Sequence, residues 1–278
     1  MKALSILSKA LPLTVALAFA STTQAATISF GGVTANDGSG LTSSYIDPLT
    51  GGQADYFIES FDQATNFTGL PGSLEYTVPG FEQECSVNSA NGGPAGVAVT
   101  ANASEVGIRK GTVSGVAAAP ANDSTCYGYL TNNGSGVATT VFDYSALLSY
   151  YTTLYSSNTL LGITYLGFYW GSVDTFNDFE FYSEGNLVTS ITGSQLLSAL
   201  GGQSGNQTSS KSNVYVNIDF SIAEQFDTLV IKTSGIAGEF DNIVVGLSTR
   251  QIPVPAPTGL ALFAFGLIAL GLRSRLKK

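Results

Sequence analysis

Alternation of apolar and polar positions recurs through the second half of the chain. Asp178–Ser183 (DFEFYS), Asn213–Phe220 (NVYVNIDF) and Phe226–Thr233 (FDTLVIKT) each predict a strand with one face toward a core and the other toward solvent. Gly162–Ser172 (GITYLGFYWGS) is aromatic-rich and more continuously apolar, and Glu239–Leu247 (EFDNIVVGL) closes the series. Leu187–Ile191 follows Asp178–Ser183 after a turn at Gly185-Asn186, which predicts a hairpin. In the first half, strands are predicted over Thr27–Val33, Asp55–Phe61, Leu74–Val78 and Val137–Phe142. Ser194–Leu200 (SQLLSAL) reads as a helix, with Ser194 as N-cap and Gly201-Gly202 as its stop. Tyr144–Tyr155 (YSALLSYYTTLY) is ambiguous: Asp143 suits a helix cap, while the Tyr and Thr content suits a strand. Short strands separated by turn signals, with little helix, predict an all-β fold: an antiparallel, jelly-roll-like β-sandwich with one short helix.

The two ends of the chain follow a different pattern. Residues 1–25 read as a secretory signal peptide. Lys2 and Lys9 give the positive start, Ala10–Ala20 the apolar centre, and Thr23-Gln24-Ala25 the small residues that place cleavage before Ala26. This implies the Sec export machinery and signal peptidase as partners. At the other end, residues 253–278 hold a proline motif (Val254, Pro255, Ala256, Pro257), an apolar run from Gly259 to Leu272, and a basic tail of Arg273, Arg275, Lys277 and Lys278. The run has no polar face. As a helix it would be about 21 Å long at ~1.5 Å per residue, and basic side chains reaching to the headgroups extend it. A transmembrane helix is therefore expected over about 258–272, in the inner membrane, with the basic C-terminus cytoplasmic.

This three-part tail resembles the PEP-CTERM sorting signal of Gram-negative bacteria: a Pro-x-Pro motif, a short membrane helix and an Arg-rich end. Here Ala256 stands where that family most often has Glu. The resemblance implies recognition and processing by an exosortase, a transient single-pass membrane intermediate, and a final place at the cell surface or in an exopolysaccharide matrix. Residues Leu160 to Gly246 resemble, in the order of YLGFYWGSVDTFNDFEFY, NVYVNIDF and FDNI, a family of exosortase-dependent surface proteins. No enzymatic activity or functional residue comes with that likeness.

Residues 26–252 then form the exported body. All 20 acidic residues fall within it, against 5 of the 11 basic ones, so its formal charge is 5 − 20 = −15. That balance argues against nucleic acid and against anionic polymers held by charge. Cys85 and Cys126 are the only cysteines, and an exported chain with an even count favours a disulfide between them. They lie in the least regular stretch, residues 85–136, which reads as a disulfide-tied insertion with a strand near Gly96–Thr100.

The chain has no histidine, which removes Ser-His-Asp and Cys-His nucleophile systems and histidine-bound zinc. The remaining candidates are carboxylates: Asp174, Asp178, Glu180 and Glu184 around the aromatic hairpin, and Asp241 in the last strand. A pair of them could serve glycoside hydrolysis; solvated strand and turn acids are the plainer account. Asp174 and Asp178, with Asn177 or backbone carbonyls, are the calcium candidates, although no EF-hand spacing is present. No other cofactor is indicated. Phe168, Tyr169, Trp170 and Phe176 are candidates for stacking on sugar rings. Strand alternation sends Phe168 and Trp170 to one face and Tyr169 to the other, and core packing explains these rings equally well. The expected function is a non-enzymatic surface or matrix protein associated with exopolysaccharide. The alternatives are a carbohydrate-active enzyme using a carboxylate pair and a structural adhesin.

Overall fold

The computed structural model describes residues 26–53, 55–62, 100–101, 106–132, 136–155 and 160–249. The signal-peptide, Leu74–Val78, Cys85 and sorting-tail expectations lie outside them. In chain order the described elements are β1 (Thr27–Phe30), β2 (Val33–Thr34), β3 (Leu41–Thr42), β4 (Ile46–Asp47), β5 (Gly51–Gly52), β6 (Tyr56–Glu59), β7 (Thr100–Ala101), β8 (Val106–Lys110), β9 (Cys126–Thr131), β10 (Ala138–Asp143), α1 (Ser145–Leu154), β11 (Leu161–Gly171), β12 (Asn177–Ser183), β13 (Asn186–Thr192), α2 (Gly193–Leu200), β14 (Val214–Asp219), β15 (Thr228–Thr233) and β16 (Ile236–Thr249). The fold is mostly β, with antiparallel sheets and two helices. Among the described residues no helix is long and apolar enough to cross a membrane.

Seven strands form the larger sheet, in the order β1-β14-β11-β16-β9-β8, with β6 also paired to β16. β9 pairs with the first part of β16 and β6 with Ile243–Gly246, so the two share one edge of that long strand. The second sheet runs β13-β12-β15-β10-β7. Alternation gives each sheet an apolar face, and the two faces meet in one core. Phe168 and Trp170 of β11 and Phe240 of β16 meet Phe142 of β10 and Phe179 of β12 there. The Trp170 and Phe179 rings are 5.2 Å apart edge to face, and Phe142 meets Phe240 at 6.1 Å.

Several local expectations change. Tyr144–Tyr155 is helical as α1, so there are two helices rather than one. Asp143 Oδ1 accepts from the Ser145 N–H at its start, and Leu147, Leu148 and Tyr151 face the core. α2 begins one residue earlier than the sequence suggests. Its N-cap is Thr192 instead of Ser194, because Thr192 and Gln195 form a reciprocal capping box that Ser194 is not placed to make. Gly201 ends α2 in the left-handed conformation, at φ 59°. Replacing Thr192 with alanine should lower stability by about 1 kcal/mol in urea denaturation. The β12–β13 turn is Glu184-Gly185, one residue earlier than expected. Both have positive φ, as a mirror-image two-residue turn requires, and Ser183 pairs with Asn186. Among the described residues of 85–136, β8 and β9 are paired strands of the larger sheet, a more regular arrangement than the composition suggests.

Both outer ends of the described body emerge together. The Ala26 N–H donates to Glu224 Oε1 at 3.1 Å. Its neighbour Gln225 donates through Nε2 to Ser248 Oγ and to the Thr249 carbonyl.

Candidate functional site

The other face of the larger sheet is covered as well. Residues 31–53, carrying β2 to β5, lie across it and bury Ile46 with Tyr165, Tyr169, Tyr215 and Val244. Tyr45 and Tyr56 stack beside them, 4.3 Å apart. Gly40 is placed where a Cβ would run into the Tyr169 ring, and its φ of +82° favours glycine as well.

A break in alternation on β16 creates a polar site beneath this cover. Phe240, Ile243 and Val245 face the core between the sheets, while Val244 faces the cover. Asp241 and Asn242 occupy the two positions between Phe240 and Ile243. The pairing with β11 slips at this point, and Asn242 has φ 45°. That irregularity accommodates the extra residue and lets Asn242 reach the cover. Its Nδ2 donates to Ser39 Oγ at 2.6 Å and to the Leu41 carbonyl. Ser39 Oγ in turn donates to Asp37 Oδ1 at 2.6 Å.

Four acids gather around this irregularity: Asp37 from the cover, Asp62 after β6, Asp123 before β9, and Asp241. Asp123 Oδ1 accepts from the Thr125 N–H and hydroxyl, both at 2.8 Å. Asp62 Oδ1 accepts from the Cys126 N–H at 2.8 Å, and Asp241 Oδ1 from the Asn242 N–H at 2.7 Å. Burial raises Asp62 to about 7 and Asp123 to about 6, with Asp37 adding to both. Asp241, fully buried, is pushed well above the usual carboxylate range by burial, then by Asp123, Asp62 and Asp37. Asp123 and Asp241 are near enough to act on one another's titration. With both ionised, Asp123 Oδ2 and Asp241 Oδ2 are buried without a hydrogen bond, as is Asn242 Oδ1. Among the described residues no three acidic side chains converge as a metal cage by themselves. A cleft of about 440 Å³ opens alongside, with Thr34, Gly40, Ala121, Asn122, Tyr169 and Asn213 in its wall. The Tyr169 hydroxyl donates to the Ala121 carbonyl there.

A second acidic pocket, of about 220 Å³, holds Glu239 and Asp174. Glu239 Oε1 accepts from the Ala118 N–H at 2.8 Å and Oε2 from Ser172 Oγ at 2.7 Å, which ties the loop before β9 to the sheet. Burial, reinforced by Asp174, pushes Glu239 up to about 8.

The calcium candidates have separate attachments. Asp174 is buried and accepts from Ser204 Oγ, whereas Asp178 accepts from the Gly193 N–H at the start of α2. Glu180 pairs with Lys232 at 2.6 Å. Phe168, Tyr169 and Trp170 are at most 2% exposed, so they cannot stack on a sugar in this fold. Phe168 and Trp170 fill the core between the sheets, and Tyr169 lies under the cover. Phe176 is half-buried against Gly235. Cys126 is buried, and there is no free cysteine among the described residues. Sequence reasoning named Asp241 but missed Asp37, Asp62, Asp123, Asn242 and Glu239. The available signal was Asp241-Asn242, two consecutive polar residues between Phe240 and the apolar run Ile243–Val245 of the closing strand.

No family model matches the chain, and no curated protein or solved structure is significantly similar to it.

Proposed function

We propose that the chain is an exported, non-enzymatic protein of the cell surface or extracellular matrix, sorted by an exosortase and associated with exopolysaccharide. In this reading the body, with two sheets around one core, is a jelly-roll-like β-sandwich, braced by a disulfide between Cys85 and Cys126. The observation that carries the reading is the ordered tail: Pro255-Ala256-Pro257, then uncharged apolar residues to Leu272, then four basic residues. A signal peptide at the opposite end supports it. The acidic body and the polar, uncharged loops suit life outside a cell.

The test replaces Pro255 and Pro257 together with alanine and fractionates the cells. Full-length precursor should accumulate in the membrane fraction while the native chain is shortened at its C-terminus. Normal processing of the double variant would show that the motif is not the one being read. Mass spectrometry of the mature protein, without reduction, should find an N-terminus at Ala26 and the two cysteines joined.

A further inference from the structure

We propose that a pocket between α1 and the β12–β13 turn binds one uncharged sugar unit, a neutral hexopyranose. The proposal gives the association with exopolysaccharide a place on the body, and it rests on that reading.

The pocket holds about 300 Å³, room for a single pyranose ring. Ser145, Leu148, Ser149 and Thr152 of α1 line it. Their spacing sets three hydroxyls and a leucine on one face of the helix. Ser145 and Ser149 are exposed. Thr152 Oγ1 accepts from the Leu161 N–H at 3.3 Å, which leaves its proton to donate. Gly162 and Gln225 are also in the wall. Gln225 is an observation independent of the hydroxyls. It is 4% exposed, and its Nε2 is committed to Ser248 Oγ and the Thr249 carbonyl, while its buried Oε1 has no partner. A Cβ at Gly162 would fall 2.9 Å from that oxygen, so the glycine keeps the space beside it clear. Buried polar atoms are almost always satisfied, and an acceptor left over beside a pocket points to a donor that enters it.

A sugar ring has a polar rim of hydroxyls and an apolar C–H face, and the lining matches both. Gln225 Oε1 calls for a donor, and the serine and threonine hydroxyls donate or accept as the rim requires. Leu148, Leu161 and Phe226, each at most 9% exposed, supply an apolar patch for the ring face. Charge narrows the class. Glu184 and Asp227 stand in the wall, and among the described residues no lysine or arginine lines it, so uronic acids and sulfated sugars are repelled. Asp227 is already occupied, since its Oδ2 accepts from the Glu184 N–H and its Oδ1 from the Thr228 hydroxyl. Its charge therefore screens out anions, and the hydrogen-bonding groups left for a ligand are neutral.

The test uses the full-length chain, purified in a detergent without a sugar head group. Saturation-transfer NMR is run with the methyl glycosides of glucose, mannose and galactose, and with methyl glucuronide. At least one neutral glycoside should receive saturation from the protein, and the glucuronide should not. Ser149→Phe fills the pocket and should abolish the signal. Ser145→Ala combined with Ser149→Ala removes two hydroxyls and should weaken binding by about tenfold or more. Both serines are exposed on a helix, where alanine is favoured, so these variants should fold, as circular dichroism will check. Ser210→Phe, in the cleft beside Tyr169, should leave the signal intact. No transfer to any neutral glycoside, or transfer that survives Ser149→Phe, would overturn the proposal. Co-sedimentation with exopolysaccharide from the same cells separates the pocket from the broader reading. Equal co-sedimentation of the native chain and Ser149→Phe would remove the pocket and keep the association. Glycoside binding lost in Ser149→Phe, with no co-sedimentation of the native chain, would keep the pocket and remove the association.

Discussion

Replacing Trp170 with alanine should destabilise the body by about 3–5 kcal/mol, the cost of removing a large buried ring that its surroundings cannot collapse to fill. Trp170 is 1% exposed on β11, a central strand of the larger sheet, and packs against Phe168 and Phe179. Its backbone pairs with Val214 on one side and Phe240 on the other, so the strand cannot shift to close the gap. Urea denaturation of the two proteins measures the difference. A Trp170→Ala protein as stable as the native chain would mean that the ring points outward. Phe176→Ala should cost much less, because Phe176 is only half-buried.

Stability should fall as pH rises from about 5 to about 9. The sign follows from Glu239, Asp62, Asp123 and Asp241, all of which titrate higher in the folded chain than an exposed carboxylate does. Between the unfolded and folded values the folded state binds more protons, so raising the pH favours unfolding. The stabilisation is complete below about pH 4 and is lost through the folded values, about 6 for Asp123, about 7 for Asp62 and about 8 for Glu239. At about 1.4 kcal/mol per pH unit, Glu239 alone contributes on the order of several kcal/mol. Asp174 is the acid acting on Glu239, whose own oxygens are held by Ala118 and Ser172. Glutamine retains both hydrogen bonds without the charge: its oxygen can accept from Ala118 and its amide can donate to Ser172. Glu239→Gln should therefore match the native chain near pH 5 and exceed it in Tm near pH 9. A native profile that is flat or rises over this range would contradict the assignment. So would a Glu239→Gln profile that parallels the native one throughout.

The strands of the second half were legible because their alternation is local: DFEFYS and NVYVNIDF need no distant partner to declare which face is buried. The division of Phe168 and Trp170 from Tyr169 followed from the same rule. What alternation could not say was whether the second face met water or protein. Tyr169 was open to a sugar-binding reading for that reason, and only the cover carrying Ile46 takes it out of solvent. α1 was ambiguous because its Tyr and Thr residues favour strand, and tertiary burial of Leu147, Leu148 and Tyr151 settles it as helix. The acid cluster was least legible. Asp37, Asp62, Asp123 and Asp241 are spread over about two hundred residues, and the pairing of β6, β9 and β16 together with the cover over them brings them to one region.

The exit point of the two ends carries a geometric consequence. Leu161 pairs with Thr249, at the end where Ala26 also emerges, and Tyr169 pairs with Asp241 eight residues along the same strand. At ~3.3 Å per residue that is about 26 Å. Whatever follows Thr249 in the chain is thus joined to the body most of a strand's length away from the buried carboxylates.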